Sequence, residues 1–129
     1  MPIVAVVDDD RIYQFTATKS LQLTKSVKEI LPFLAAEEAL DFLKTNAENV
    51  ALLPDFIFLD INMPVMDGWM FLEGFEKIGP LLKKEVIIYM VSSSIDPSDI
   101  NRANSNPLIK EYITKPISID KLSSLLSVA

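Results

Sequence analysis

Short apolar segments alternate with longer amphipathic ones along the whole chain. Five of the short segments are rich in β-branched and aromatic residues, which is typical of strands. These predicted strands occupy residues 3–7, 27–33, 56–59, 86–91 and 109–114. Apolar residues spaced three or four positions apart predict a helix after each strand. The predicted helices occupy residues 11–23, 36–45, 68–78, 97–104 and 118–127, the last beginning at 118 or 119.

Polar residues and turn formers mark the ends of these helices. Asp67 and Asp96 each stand directly before a helix, where a carboxylate accepts hydrogen bonds from the first free N–H groups. A glycine-proline pair after residue 78 ends the third helix. The pattern of helix one is weaker, because it rests on Ile12, Phe15 and Leu23 with smaller residues between them.

Five strands that alternate with five helices predict an α/β domain with a parallel sheet. The chain has 129 residues, the size of one domain, so residues 1–129 are expected to form a single three-layer, doubly wound unit. In the common flavodoxin-like arrangement the strand order is 2-1-3-4-5 and the crossovers are right-handed. Strands one and three are then neighbours.

Polar residues stand at the carboxyl ends of four predicted strands. Asp8 and Asp9 follow strand one, Asp60 follows strand three, Ser92 ends strand four and Lys115 follows strand five. In a parallel sheet these ends lie along one edge, and ligands bind where the strand order reverses. The three carboxylates are therefore expected to converge.

Three neighbouring carboxylates repel one another unless a proton or a cation lies between them. Mg²⁺, or Mn²⁺ in its place, prefers oxygen ligands and leaves room for a phosphate oxygen. A carboxylate beside such an ion can attack phosphorus and form an aspartyl phosphate. Lys115 could pair with the transferred group, and the Ser92 hydroxyl could donate a hydrogen bond to it. Asp10 and Asp55 have no role in this scheme and are interpreted as solvated turn residues.

Each of these features also has an ordinary structural interpretation. An Asp pair after a strand commonly caps a helix, a serine triplet commonly forms a loop, and Lys-Pro commonly ends a strand. The functional interpretation is favoured because all of these groups fall on one edge of the predicted sheet.

Composition excludes several other chemistries. The chain has no cysteine, which excludes disulfides and thiolate chemistry. It has no histidine, which excludes the commonest zinc ligand and the commonest general base. A net charge of -6 argues against direct binding of nucleic acid. No apolar run approaches the roughly 20 residues that span a bilayer, and the first residues do not form a signal peptide. The expected location is therefore the cytoplasm, without membrane attachment.

Four segments carry a resemblance to a known family. They are Val7-Asp8-Asp9, Leu59-Asp60-Ile61-Asn62-Met63-Pro64-Val65-Met66-Asp67-Gly68, Val91-Ser92-Ser93 and Tyr112-Ile113-Thr114-Lys115-Pro116. Together they resemble the CheY-like receiver domain of two-component response regulators, over essentially the whole chain. The resemblance implies a signalling domain and not an enzyme, with at most self-phosphorylation and self-dephosphorylation.

The resemblance also implies a role for each matching residue of the acidic edge. Asp60 would be the phospho-acceptor. Asp9 would bind Mg²⁺ directly, Asp8 largely through water, and Asn62 through its backbone carbonyl. Lys115 would contact the phosphoryl group. The donor would be a sensor histidine kinase or a histidine phosphotransfer protein.

By the same resemblance, Ser92 is the switch hydroxyl and Tyr112 the aromatic switch. Ser92 would swing toward the phosphoryl group and Tyr112 would turn inward, which changes the face formed by helix four, strand five and helix five for an unknown protein target. Ser92 stands where Thr is commoner. Ser94 and Asn62 occupy positions that tune hydrolysis of the acyl phosphate, and Tyr13 either contacts the donor or packs in the core.

Three alternatives remain open. A phosphorylation-silent binding module could share the fold, although such modules usually lose one of the acidic, hydroxyl or lysine residues. An aspartyl-phosphate hydrolase places a second acid two residues after the nucleophile, where this chain has Asn62. A flavin or nucleotide site is disfavoured because none of the three glycines makes a phosphate-binding loop after strand one.

Overall fold

The structure, a computed structural model, describes residues 1–127. Strands and helices alternate along it in the predicted order, with a short 3₁₀ turn after the third helix. The elements are β1 (Ile3–Val7), α1 (Arg11–Leu23), β2 (Glu29–Phe33), α2 (Ala36–Thr45), β3 (Phe56–Leu59), α3 (Gly68–Ile78), β4 (Ile87–Ser92), α4 (Pro97–Asn104), β5 (Ile109–Thr114) and α5 (Ile119–Leu126). The domain predicted for residues 1–129 includes positions 128 and 129, which lie outside the described residues.

The five strands form one parallel sheet in the order β2-β1-β3-β4-β5. The predicted fold class and strand order are therefore confirmed. β1 lies between β2 and β3, and its last residue, Val7, is level with Phe33 on one side and Leu59 on the other. The strands on either side of the reversal in strand order thus end at the same height.

Side chains of the central strands alternate between two separate cores. Val4 and Val6 pack with residues of α1 and α5. Ala5 and Val7 pack with residues of α2, α3 and α4. Because both faces are covered, β1 and β3 are buried along their whole length. This accounts for apolar runs without the polar alternation of a half-exposed strand.

The second strand begins later than predicted, at Glu29 instead of position 27. Its first pair joins Glu29 to Ile3, the first residue of β1. An edge strand has a partner on one side only, so it begins where β1 begins. Apolar character at position 27 therefore marks packing, and Val27 does pack against the core shared with α1 and α5.

The first helix has the predicted bounds but not the face that its large apolar residues suggest. Ile12, Phe15 and Leu23 are 79%, 67% and 62% exposed. The buried residues of this helix are Gln14 and Leu21, seven positions apart and hence on one face. Two faces of this helix carry apolar residues, and the face with fewer large ones packs against the sheet.

Asp10 and Asp55, interpreted as solvated turn residues, have definite structural roles. Exposed Asp10 caps α1, since its carboxylate accepts hydrogen bonds from two N–H groups of the first turn. Asp55 is not simply solvated. Its carboxylate accepts a hydrogen bond from the N–H of Ile3 at 2.8 Å and lies 3.4 Å from the Lys84 ammonium. It thus ties the start of β1 to the start of β3.

Among the described residues, none of the helices has both the length and the apolar character that crossing a bilayer requires.

Candidate functional site

Backbone hydrogen bonds at the ends of β1 and β3 bring the acidic residues together. The N–H of Asp60 donates to the carbonyl of Val7 at 3.0 Å, and the N–H of Asp8 donates to the carbonyl of Phe33 at 3.0 Å. Carboxylate oxygens of Asp8, Asp9 and Asp60 consequently lie within 4.8 Å of one another. Asp8 and Asp60 are buried and Asp9 is exposed. The predicted convergence of these three side chains is observed.

Lys115 reaches into this acidic cluster from the end of β5. Its ammonium donates a hydrogen bond to Asp8 Oδ2 at 2.7 Å and lies 3.7 Å from Asp60 Oδ1. Its own backbone N–H donates to the carbonyl of Ser92 at 2.9 Å, which fixes the start of the lysine side chain beside β4. Lys115 therefore offsets part of the negative charge.

Despite this ammonium, the surroundings of Asp60 raise its pKa from the ordinary value of 3.8 to about 6. Burial is the largest cause, and the negative charge of Asp8 is the next. The ammonium of Lys115 opposes both, without cancelling them. A carboxyl group in this condition gains from a nearby cation. Three carboxylates within reach of one point supply the hard oxygen ligands of Mg²⁺ or Mn²⁺, so the residues present fit such an ion.

The loop after Asp60 makes a tight turn into α3. The N–H of Gly68 donates to the carbonyl of Ile61 at 2.8 Å, and the carboxylate of Asp67 caps the helix through the N–H of Met70. A side chain on Gly68 would overlap the carbonyl oxygen of Asp60. Asn62 lies in this loop with an exposed side chain, at the same edge as Asp60.

Ser92, Ser94 and Tyr112 form a connected group beside the acidic cluster. Ser92 is fully buried, and its hydroxyl accepts a hydrogen bond from the N–H of Ser94 at 3.1 Å. The Tyr112 hydroxyl donates to the carbonyl of Ser94 at 2.6 Å, so this half-buried ring already points toward the loop after β4. The Ser94 hydroxyl donates to Asp99 of α4 at 2.8 Å. Ser94 thus connects β4, α4 and β5.

Tyr13 borders the acidic cluster and does not only pack in the core. Its ring lies under the Lys115 ammonium, 3.9 Å from the ring centroid, where a cation is attracted by the aromatic face. Burial, together with the negative charges of Asp8 and Asp60, raises the pKa of the Tyr13 hydroxyl to about 12. The phenol therefore stays protonated at neutral pH.

This arrangement, an acidic cluster at the ends of two adjacent parallel strands with a lysine from the fifth, coincides with a match to a known family. Residues 4–127 match the profile described as the response regulator receiver domain. The chain belongs to this family.

Solved structures of receivers support the assignment. A two-component response regulator from Cytophaga hutchinsonii superimposes with a TM-score of 0.86 and 30% identity, covering 97% of this chain and 93% of that one. A response regulator receiver protein from Dyadobacter fermentans superimposes with a TM-score of 0.83 and 31% identity, covering 97% and 94%.

One curated relative is much longer than this chain. The sensor histidine kinase CheAY of Helicobacter pylori is 31% identical over 127 residues, which are 96% of this chain but only 14% of the kinase. The likeness therefore concerns one short part of that protein.

Two residues with well-defined contacts in the receiver were not singled out from the sequence. Gln14 is buried on α1 and hydrogen-bonds the ends of β1 and β2. Its position on the stripe of Leu21 is the signal that could have marked it. Arg102 of α4 stacks on buried Trp69 of α3, with the guanidinium carbon 4.3 Å from the ring centroid. That contact joins α3 to α4, and no sequence pattern predicts it.

Proposed function

We propose that this receiver accepts a phosphoryl group on Asp60 and passes the signal to a protein partner through a change of its α4–β5–α5 face. The observation that carries the proposal is the cluster of Asp8, Asp9 and Asp60 with the Lys115 ammonium inserted between two of the carboxylates.

The chemistry uses each of these groups differently. A carboxylate oxygen of Asp60 attacks the phosphorus of a phosphohistidine whose other ring nitrogen is protonated. The P–N bond breaks, its electron pair stays on the nitrogen, and the histidine side chain leaves as neutral imidazole. A bound Mg²⁺, held by Asp9 and the Asn62 carbonyl and through water by Asp8, would supply positive charge for the phosphoryl oxygens. Lys115 needs only a small displacement from Asp60 to pair with a phosphoryl oxygen.

The switch follows from the hydrogen bonds of Ser94. If the Ser92 hydroxyl turns to a phosphoryl oxygen, it leaves the N–H of Ser94, and the loop that also holds Tyr112 and Asp99 is free to rearrange. Side chains from β4, α4 and β5 meet in this loop. A local change at Ser92 is thereby transmitted to the proposed signalling face.

The proposed donor is a sensor histidine kinase or a histidine phosphotransfer protein. Two features of α1 support docking beside Asp60. Ile12 is 79% exposed on the first turn of α1, next to Tyr13, whose ring contacts Lys115. It also borders a cavity of about 340 Å³ that Tyr13, Lys115 and Pro116 line as well. The donor would cover this apolar surface while its histidine approaches Asp60.

The direct test is labelling by a small phosphodonor. Metal-free protein is incubated with acetyl phosphate in the presence and absence of Mg²⁺, and the modified peptide is identified by mass spectrometry. We expect one phosphoryl group per chain, on Asp60 and only with Mg²⁺. A phosphorylation-silent module would stay unlabelled, and modification of a different residue would contradict the assignment.

A hydrolase is the less favoured candidate. In that case acetyl phosphate would be turned over many times, whereas a receiver accumulates label. The exposed side chain of Asn62 at the second position after Asp60 offers no carboxyl group for acid–base catalysis.

Docking on α1 predicts a difference between donors. In Ile12→Ala, phosphotransfer from a histidine kinase that labels the wild type is expected to be roughly tenfold slower, as for loss of one central interface side chain. Labelling by acetyl phosphate is expected to stay unchanged. Leu23→Ala is the matched control, because Leu23 is also exposed on α1 but lies about 16 Å farther along the helix. Equal slowing by both variants, or slowing with both donors, would argue against docking at this end of α1.

A further inference from the structure

One side chain of α1 binds the carboxyl ends of two strands at once. Gln14 is 93% buried, being 7% exposed. Its Nε2 lies 2.9 Å from the carbonyl oxygen of Val6, 3.1 Å from that of Asp8 and 3.0 Å from that of Phe33. The two N–H bonds of this amide therefore serve three acceptors. By donating to carbonyls at the ends of both strands, the Gln14 amide fixes the positions of β1 and β2 relative to α1.

These contacts act on the backbone that carries the acidic pair. The N–H of Asp8 donates to Phe33, and the carbonyl of Asp8 accepts from Gln14. Since a peptide unit is planar, holding the Asp8 carbonyl also holds the N–H of Asp9 and hence the direction in which Asp9 leaves the strand. The Asp8 carboxylate is in turn bound by the N–H of Asp10 and by Lys115. Asp8 is thus held through both its backbone and its side chain.

The other end of the Gln14 amide shows that the position is not an ordinary core site. Gln14 Oε1 is buried without a hydrogen-bond partner among the described residues. An unpaired buried acceptor is unfavourable, and an apolar side chain of similar shape would avoid it. The hydrogen bonds to the strand ends are the contribution of the amide that an apolar side chain could not make.

We propose that Gln14 is a positioning residue for the divalent ion, which aims Asp8 and Asp9 at the metal by fixing the strand-end carbonyls. Gln14 does not touch the metal or the phosphoryl group. This inference rests on the proposed function, because it assigns Gln14 to the same acidic site. It adds a buried residue of α1 to that site.

Binding of Mn²⁺ to the metal-free, full-length protein tests the inference without requiring phosphorylation. Free Mn²⁺ is measured by electron paramagnetic resonance. Gln14→Met keeps the length of the side chain but removes the donor, and it is expected to weaken Mn²⁺ binding about tenfold or more, as loss of a group that orients a ligand does. Gln14→Asn keeps the amide on a shorter side chain and should also weaken binding.

Two controls on α1 separate positioning from general destabilisation. Gln22→Met makes the same chemical change at an exposed position, and Leu21→Ala removes buried packing without touching the strand ends. Both should bind Mn²⁺ within about twofold of the wild type while Leu21→Ala lowers the unfolding temperature. Wild-type affinity in Gln14→Met, or equally weak binding in Leu21→Ala, would overturn the positioning role.

A measurement on the unsubstituted protein applies even if the Gln14 variants fold poorly. Coupling between two sites is reciprocal, so Mg²⁺ should slow hydrogen exchange of the Gln14 side-chain amide. Unchanged exchange at saturating Mg²⁺ would contradict the inference. If the wild type binds neither ion, the proposed function itself fails, whereas normal wild-type binding with an indifferent Gln14→Met removes only the role of Gln14.

Discussion

Asp60→Asn is expected to abolish labelling by acetyl phosphate and, at the same time, to stabilise the metal-free protein at neutral pH. The first effect follows because an amide oxygen is a poor nucleophile toward phosphorus. The second follows because the Asp60 carboxylate is held among negative charges in a buried place. A residue that is needed for function would then be unfavourable for stability.

The sign of the pH dependence follows from the direction of the shift. The pKa of Asp60 is raised in the folded state, from 3.8 to about 6, so the folded protein binds its proton more tightly than the unfolded chain does. Its contribution to stability is fully present below about pH 4 and is lost as the pH rises through about 6. The loss is about 1–2 kcal/mol, because water reaches part of this site and screens the charges. Asp60→Asn does not titrate and should escape it.

Urea unfolding in a metal chelator between pH 4 and 8 measures this difference. Asp60→Asn should match the wild type near pH 4 and exceed it near pH 7.5, and Mg²⁺ should narrow the gap by binding the wild type. Asp10→Asn is the matched control, since it makes the same substitution at the same edge and Asn caps a helix as well as Asp. It should keep both the label and the wild-type pH profile. Stoichiometric label on Asp60→Asn would contradict the assignment of Asp60 as the phospho-acceptor.

Gly68→Ala is expected to slow labelling by about 100-fold, the size of effect that a displacement of the reacting group by about 1 Å produces. The added Cβ would overlap the Asp60 carbonyl oxygen and lie 3.0 Å from the Cα of Ile61. Both neighbours are backbone, which cannot rotate away as a side chain can. The loop must therefore move, and Asp60 moves with it.

Helix propensity alone predicts the opposite effect on stability. Alanine is favoured over glycine by about 1 kcal/mol in a helix interior, which is an upper bound at Gly68, the first residue of α3. Forcing atoms into a filled space costs about 1–3 kcal/mol. We expect the steric effect to prevail and Gly68→Ala to be less stable than the wild type. Gly74→Ala in the same helix is the control, because its Cβ would meet only the end of the flexible Leu40 side chain. Normal labelling or higher stability in Gly68→Ala would show that the loop adapts freely.

The acidic site illustrates what a sequence pattern can predict. Asp8 and Asp60 each follow a short, fully apolar strand. Parallel strands must present their carboxyl ends at one edge, so the strand order alone made these side chains neighbours. The convergence of the carboxylates and the position of Lys115 on the same edge were predicted on that basis, and the geometry agrees. The roles of these residues in phosphorylation remain for the experiments above.

The first helix illustrates what such a pattern cannot predict. Its bounds were right, because Asp10 caps it and its spacing is helical. Its inward face could not be read from the large apolar residues, since Ile12 and Phe15 face solvent while Gln14 is buried. A polar side chain can be buried when carbonyl groups satisfy it. Those carbonyls come from β1 and β2, which no local pattern connects to Gln14.

The amino-acid sequence by itself determined the order of strands and helices, the fold class and the identity of the acidic edge, because these depend on local periodicity and on the geometry of parallel sheets. Only the tertiary structure decided the surroundings of Asp60 that raise its pKa, the close approach of Gly68 to its carbonyl, and the bonds of Gln14. Each of these depends on distances between side chains and backbone groups of different elements, whether the residues are six to eight positions apart or remote in the chain. Such distances are set by packing, which periodicity does not encode.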